Sequence, residues 1–211
     1  MSTSMAPHKR GWSRRRRYAA VFLPSIAVGL GWSVLTAQGA LAASLHVSGL
    51  PTTITADRLV GTNFAQYGWF DGAKANPGAG IPGLIPVTRT GIENATLYNL
   101  CQSVTIPGFN VSLVIKAGTD SANPVKATNL VIDMSKLEGN ATFTNIDIGG
   151  DASELSKGPK GFAGPQNMFS QEAQALEITK LKQTAYSTSA GTFTLNGLSL
   201  EVKTGTITCP V

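Results

Sequence analysis

Apolar residues recur at every second position in this chain, and that period constrains the fold more than any other feature. Phe109, Val111, Leu113 and Ile115 alternate with Asn110, Ser112 and Lys116, between Pro107-Gly108 and Gly118. Leu130, Ile132 and Met134 alternate with Asn129, Asp133 and Ser135, and Leu198, Leu200 and Val202 with Ser199, Glu201 and Lys203. A strand turns successive side chains to opposite faces, so this spacing predicts strands with one apolar face. Thr142, Thr144, Ile146 and Ile148 share one parity while Phe143 takes the other, which predicts a bulge. Asn196-Gly197 is a strong hairpin signal and predicts that residues 192–195 pair back onto 198–202. Residues 170–181 are the one candidate helix, yet Leu176 and Ile178 alternate there, and the segment reads as a strand.

An Ala-x-x-Leu step recurs at Ala56-Leu59, Ala127-Leu130 and Ala173-Leu176, with unequal offsets. A regular solenoid would repeat evenly. The expected fold is therefore all-β, an antiparallel sandwich or an elongated curled sheet, with a β-solenoid as the alternative.

The strand pattern begins only after a leader of a different kind. Lys9, Arg10 and the arginines at 14–17 precede residues 18–41, which carry no formal charge and end on Ala40-Leu41-Ala42. A basic start, an apolar stretch and small residues before a cut between Ala42 and Ala43 form an export signal. The stretch also exceeds the roughly 20 residues that span a bilayer as a helix, so a retained anchor helix is the competing reading. Residues 1–42 are thus a signal peptide or an N-terminal membrane anchor, and 43–211 a single exported β domain. Its place is outside the cell or on the outer face of the cytoplasmic membrane, by the Sec or the twin-arginine route. The membrane is a partner if the leader is not cut.

Removing the leader also removes the chain's basicity. It holds six of the 17 Lys and Arg, leaving 11 against 12 acidic residues and a net charge of −1. A nucleic-acid partner needs a basic field on the folded surface, and none is expected here. Cys101 and Cys209 are the only cysteines. In an oxidising compartment they favour one disulfide, which would tie down the C-terminus; two buried free thiols are the alternative.

Few residues suggest chemistry. Phe64, Tyr67, Trp69 and Phe70 are the densest aromatic cluster, followed by residues 71–86 with four glycines and three prolines. The cluster is a candidate lip for an apolar ligand or a glycan, set against ordinary core packing. Gly158, Gly161 and Gly164 recur at period three, too few triplets for collagen, so 157–165 is a loop. No Gly-x-Ser-x-Gly occurs, and His46 is the only histidine after the leader, so no catalytic residue is assigned. No Cys-x-x-Cys or nucleotide-binding glycine loop exists, so neither a metal site nor a cofactor is expected. Asp147 and Asp151 around Gly149-Gly150 come nearest to a calcium turn, but read as a plain loop.

The Arg-rich start, residues 37–44 (AQGALAAS), Val47-Ser48-Gly49, residues 55–59 (TADRL) and the run QTAYST with AGTFTL before the closing cysteine resemble an uncharacterised family of exported actinobacterial proteins. Members of that family are often labelled cholesterol esterase, and some resemble partners of a small multi-span membrane protein. The resemblance implies an esterase or hydrolase as one function class. The residues themselves favour a non-enzymatic envelope protein, a binding or structural module whose curled sheet could hold a lipid or other apolar ligand. N-terminal sequencing of the mature protein tests the leader: Ala43 as first residue marks cleavage, and an intact leader marks an anchor.

Overall fold

A computed structural model of the chain describes residues 50–71, 85–106 and 108–210. The leader, Ala42, Ala43, His46 and nearly all of the 71–86 loop lie outside the described residues. Those described belong to one compact unit, Ala40–Val211. Among them, no helix is long and apolar enough to cross a membrane.

Eight strands make up the fold: β1 (Thr52–Asp71), β2 (Ile85–Tyr98), β3 (Leu100–Ile106), β4 (Val111–Ala117), β5 (Val125–Asp151), β6 (Phe169–Ser189), β7 (Thr192–Thr194) and β8 (Ser199–Thr204). They form one sheet in the order β2-β5-β6-β1-β3-β4-β8, with β7 beside β5. β2 also pairs with β1, so this part of the sheet curls back on itself, while β3, β4 and β8 extend from β1 as a flank. Every ladder is antiparallel, which gives the curled antiparallel sheet; the solenoid alternative is not supported. Residues 170–181 are strand, as their alternation predicts, and lie inside β6.

The curl has a local cause. A line of residues crosses the sheet without taking part in the ladders: Asn145 on β5, Gln174 on β6, Asn63 on β1, Glu93 on β2 and Asn129 on β5 again. Asn63, Asn129 and Asn145 have φ of 51°, 50° and 50°, the left-handed region that asparagine tolerates better than other side-chain-bearing residues. Asn145 Nδ2 donates to Gln174 Oε1 at 2.7 Å, and Asn63 Nδ2 donates to Glu93 Oε2. Where a residue drops out of the ladders, left-handed as at the three asparagines or not, as at Glu93 and Gln174, the alternation breaks and side chains three apart point the same way. Ile92 with Ala95, Ala127 with Leu130, and Ala173 with Leu176 all face the core, and partly buried Phe143 and Ile146 pack against it.

A second crease passes through Lys180 (φ 54°), Asp57 and Asn99 (φ 52°), with Asn99 Nδ2 donating to Asp57 Oδ2 at 3.1 Å. It turns Ala56 with Leu59, Leu97 with Leu100, and Ile178 with Leu181 inward. The recurring Ala-x-x-Leu step is thus the sequence trace of a crease. It also explains why Phe143 and Ile146, not the residues of one parity, face the core. Residues 142–148 keep a single register with β6, so the expected bulge is not there; the register shifts lie at Asp133/Met134, Met134/Lys136, Glu138/Asn140 and Ile148/Gly150.

The hairpin expectation at Asn196-Gly197 is wrong. β7 pairs with β5 and β8 with β4, so the turn hands the chain from one strand to another instead of folding it back. Tertiary hydrogen bonds hold it there: Asn196 Nδ2 donates to the Pro124 carbonyl at 2.8 Å, and the Gly118 N–H to the Asn196 carbonyl at 2.7 Å.

The main core fills the curl. The second cluster is small and joins Cys101, Val114 and Cys209, with Ile207 packed against them. Cys101 and Cys209 form the disulfide, with Cα atoms 5.7 Å apart across a separation of 108 residues. Replacing both cysteines by serine is expected to lower stability by about 4 kcal/mol in urea denaturation, less any residual order in the unfolded chain. Asn63→Ala should cost about 1–2 kcal/mol more than Asn63→Gly, because both lose the side-chain bond but only alanine resists the left-handed backbone.

Candidate functional site

Beyond the first crease, Ala65, Tyr67 and Trp69 turn to the outer face of the sheet. Register then aligns four side chains across it: Tyr67 on β1 opposite Arg89 on β2, Arg89 opposite Asp133 on β5, and Asp133 opposite Ser187 on β6. Arg89 grips Asp133 with two parallel bonds, Nε to Oδ1 and Nη2 to Oδ2, each 2.7 Å. This bidentate geometry is the strongest form of the contact. The Asp133 side chain is only 5% exposed. The hydrogen bond to Asp133, opposed by burial and helped by Tyr67, holds the Arg89 guanidinium above its ordinary range. The Trp69 ring lies 5.0 Å from the same guanidinium, a cation–π contact.

The segment after β5 covers this row. A short 3-10 turn (Ala152–Glu154) follows the strand, and residues 157–165 then form the expected loop. Phe162 packs against Tyr67 with ring centroids 5.3 Å apart. The approach is so close that a Cβ on Gly91 would sit 2.6 Å from the Pro159 ring and 2.8 Å from Phe162. At Gly164 a Cβ would meet Ala152 at 2.7 Å and Tyr67 at 2.9 Å. Two of the period-three glycines serve this packing: Gly164 and Gly158, which lies against Ala65 and Phe162.

Two carboxylates staple the loop. Glu172 accepts from Ser156 N, Ser156 Oγ and Lys157 Nζ at 2.8 Å each, and from Lys157 N at 2.9 Å. Asp151 accepts from Asn167 N at 2.7 Å and from Ser153 N and Oγ at 2.9 Å each. Burial pushes the Glu172 carboxyl up, but its bonds to Lys157 and Ser156 outweigh this and bring it down to about 2. Backbone bonds from Ser153 and Asn167, then the Ser153 hydroxyl, lower Asp151.

Between sheet and loop lies a groove of about 490 Å³, lined by Tyr67, Arg89, Val131, Asp133, Lys160, Phe162, Ser187 and Ser189. Its floor is charged but internally neutralised. Its walls offer aromatic rings, two hydroxyls and one ammonium group.

The four predicted aromatics therefore separate. Tyr67 lines the groove and Trp69 backs it, 6.1 Å from Tyr67 in an edge contact. Phe64 is a core residue, 5.4 Å from Phe143, because the crease at Asn63 turns it inward. Phe70 is exposed and outside the groove lining. Sequence reasoning missed Arg89, Asp133, Lys160 and Phe162. Asp133 carried a signal, since an acid inside the apolar run Val131-Ile132-x-Met134 needs a buried partner. Asp147 and Asp151 do not converge on a cation site. Asp151 is used by the loop and Asp147 faces Lys157 at 3.8 Å. Among the described residues no group of three or more metal-ligating side chains occurs.

Together these features define an all-β, disulfide-closed domain with a loop-covered groove on the outer face of a creased sheet. The sequence profile of DUF6230, a family of unknown function, matches residues 48–210, and the chain belongs to that family. No curated protein and no solved structure matches it significantly.

Removing one partner of the Arg89–Asp133 pair strands a buried charge. Arg89→Ala, which leaves the Asp133 carboxylate buried and unpaired, is expected to cost about 3–5 kcal/mol in chemical denaturation. The pH response follows from Glu172. Its folded value lies below the unfolded one near 4.5, so its contribution is present above that pH and is lost as pH falls toward about 2. Melting curves between pH 6 and 2 should fall more steeply for the native protein than for Glu172→Gln.

Proposed function

We propose that this protein is a non-enzymatic binding module of the cell envelope, exported or held at the outer membrane face, that takes its ligand in the groove over Tyr67, Arg89 and Asp133. The groove chemistry carries this reading. Flat rings of Tyr67 and Phe162 beside the hydroxyls of Ser187 and Ser189 suit a saccharide, which presents apolar C–H faces and hydroxyl edges together. Lys160 adds affinity for an acidic substituent.

The curl's interior is taken up by its own side chains, which moves the ligand from inside the sheet to its outer face. Both carboxylate oxygens of Asp133 accept from Arg89. The esterase class suggested by the resemblance requires a base beside a serine. In the groove, Asp133 is committed to Arg89, which leaves Lys160 and Tyr67 as the side chains that could serve Ser187 or Ser189.

Calorimetric titration of residues 43–211 with soluble fragments of cell-wall polysaccharide tests the proposal. Binding is expected to weaken at least about 10-fold in Phe162→Ala and in Lys160→Ala, the latter at unchanged melting temperature. Binding indifferent to both variants would overturn the site. Hydrolysis of short acyl esters that Ser187→Ala abolishes would overturn the non-enzymatic reading.

A further inference from the structure

The flank formed by β3, β4 and β8 has two unlike faces. On one, the C-terminal tail lies over the strands: Ile207 N donates to Ser112 Oγ at 3.0 Å, Ser112 Oγ donates to the Gly205 carbonyl at 2.7 Å, and Cys209 bonds to Cys101. On the other face, register places Ile106, Val111 and Thr204 in one row, Val104, Leu113 and Val202 in the next, and Gln102, Ile115 and Leu200 in a third. This face leads into the core at Leu100 and Ala117, and Gln102, Val104 and Ile115 on it are buried, whereas its outer part at Ile106 and along β8 is exposed. Leu200 is 59% exposed, Val202 67% and Phe109, at the β3–β4 turn, 76%. The alternation that predicts a buried face on β8 is present, yet Leu200 and Val202 are exposed and no described element covers them.

We propose that this face rests on a lipid bilayer, with Phe109, Val202 and Leu200 entering the acyl boundary. Three observations favour this occupant. The rows hold no ionisable side chain, whereas Lys116, Glu201 and Lys203 sit on the opposite face of their strands, so shallow immersion desolvates no charge. Contiguous exposed apolar surface of this kind marks a membrane or protein contact. The third is where the remaining chain joins the sheet. β1 begins at Thr52, and Thr53 pairs with Ser103, three residues before the exposed Ile106. The uncharged stretch 18–41 is joined to this end of the plate by residues 42–51, which reach at most about 35 Å when extended. The contact draws on the placement of the protein at the outer membrane face and is independent of the groove.

Vesicle co-sedimentation tests it with residues 43–211, within which every ladder, both core clusters and the disulfide lie. The probes are vesicles of phosphatidylcholine alone and of phosphatidylcholine with phosphatidylglycerol. Binding to both compositions is expected, with the bound fraction falling at least about 10-fold in Val202→Asp with Phe109→Ser, while Phe162→Ala stays at the native level. Melting temperature and groove titration should be unchanged in the double variant, which separates loss of the membrane face from failure of the groove reading. A tryptophan at position 109 should be quenched by lipids brominated in the acyl chain. No sedimentation, or sedimentation that the double variant retains, would overturn the proposal. So would a dimer in sedimentation velocity that Val202→Asp disperses, since the face would then belong to a second copy.

Discussion

The crease at Asn63, Asn129 and Asn145 is the constraint on which the rest depends. A long antiparallel sheet with strict alternation has one apolar face and stays open along it. Three left-handed asparagines stand in line, Asn63 bonded to Glu93 and Asn145 to Gln174, where β1, β2, β5 and β6 bend at the same level. The strands can then enclose a core without ending, and β1 and β6 run for 20 and 21 residues. Each left-handed residue is unfavourable on its own by about 1–2 kcal/mol. Burial of Phe64, Ile92, Leu130 and Ala173 just beyond the bend offsets that strain.

The same bend creates the groove. Reversing the alternation at Asn63 sends Phe64 inward and leaves Tyr67 and Trp69 on the outer face, level with Arg89 and Asp133. A buried ion pair is poor evidence of stabilisation in itself, because desolvation offsets much of the attraction. Here it fixes register across β2 and β5 and provides a rigid floor. The loop above is held by Glu172 and Asp151 at its two ends, so the groove has rigid elements on both sides, as a binding site requires.

The flank answers a different demand. Its strands are tied to the body through β1–β3 pairing and through the disulfide, which places the C-terminal tail over one face. The opposite face is mostly apolar, and its outer part at Ile106, Leu200 and Val202 is exposed. A domain with a neutral floor in its groove and an uncharged plate on its flank has two chemically distinct surfaces. They lie on different parts of the sheet.

Much of this was legible in residue order, because period two, turn residues and cysteine count are local properties. They determined an all-β antiparallel chain, strand character at 170–181, a loop at 157–165 and the Cys101–Cys209 bond. Even the crease left a trace, in the Ala-x-x-Leu steps. Tertiary structure alone decided which face of each strand is buried, because a residue that drops out of the ladder, such as left-handed Asn63, inverts the side chains up to the next such break. It also decided that Asn196-Gly197 links strands of different neighbours, since Pro124 and Gly118 compete for that turn's hydrogen bonds. And it decided that Phe64 packs inside while Tyr67, three residues on, lines a site with Arg89, Asp133 and Phe162. Those partners are far apart in the chain, and only register brings them together.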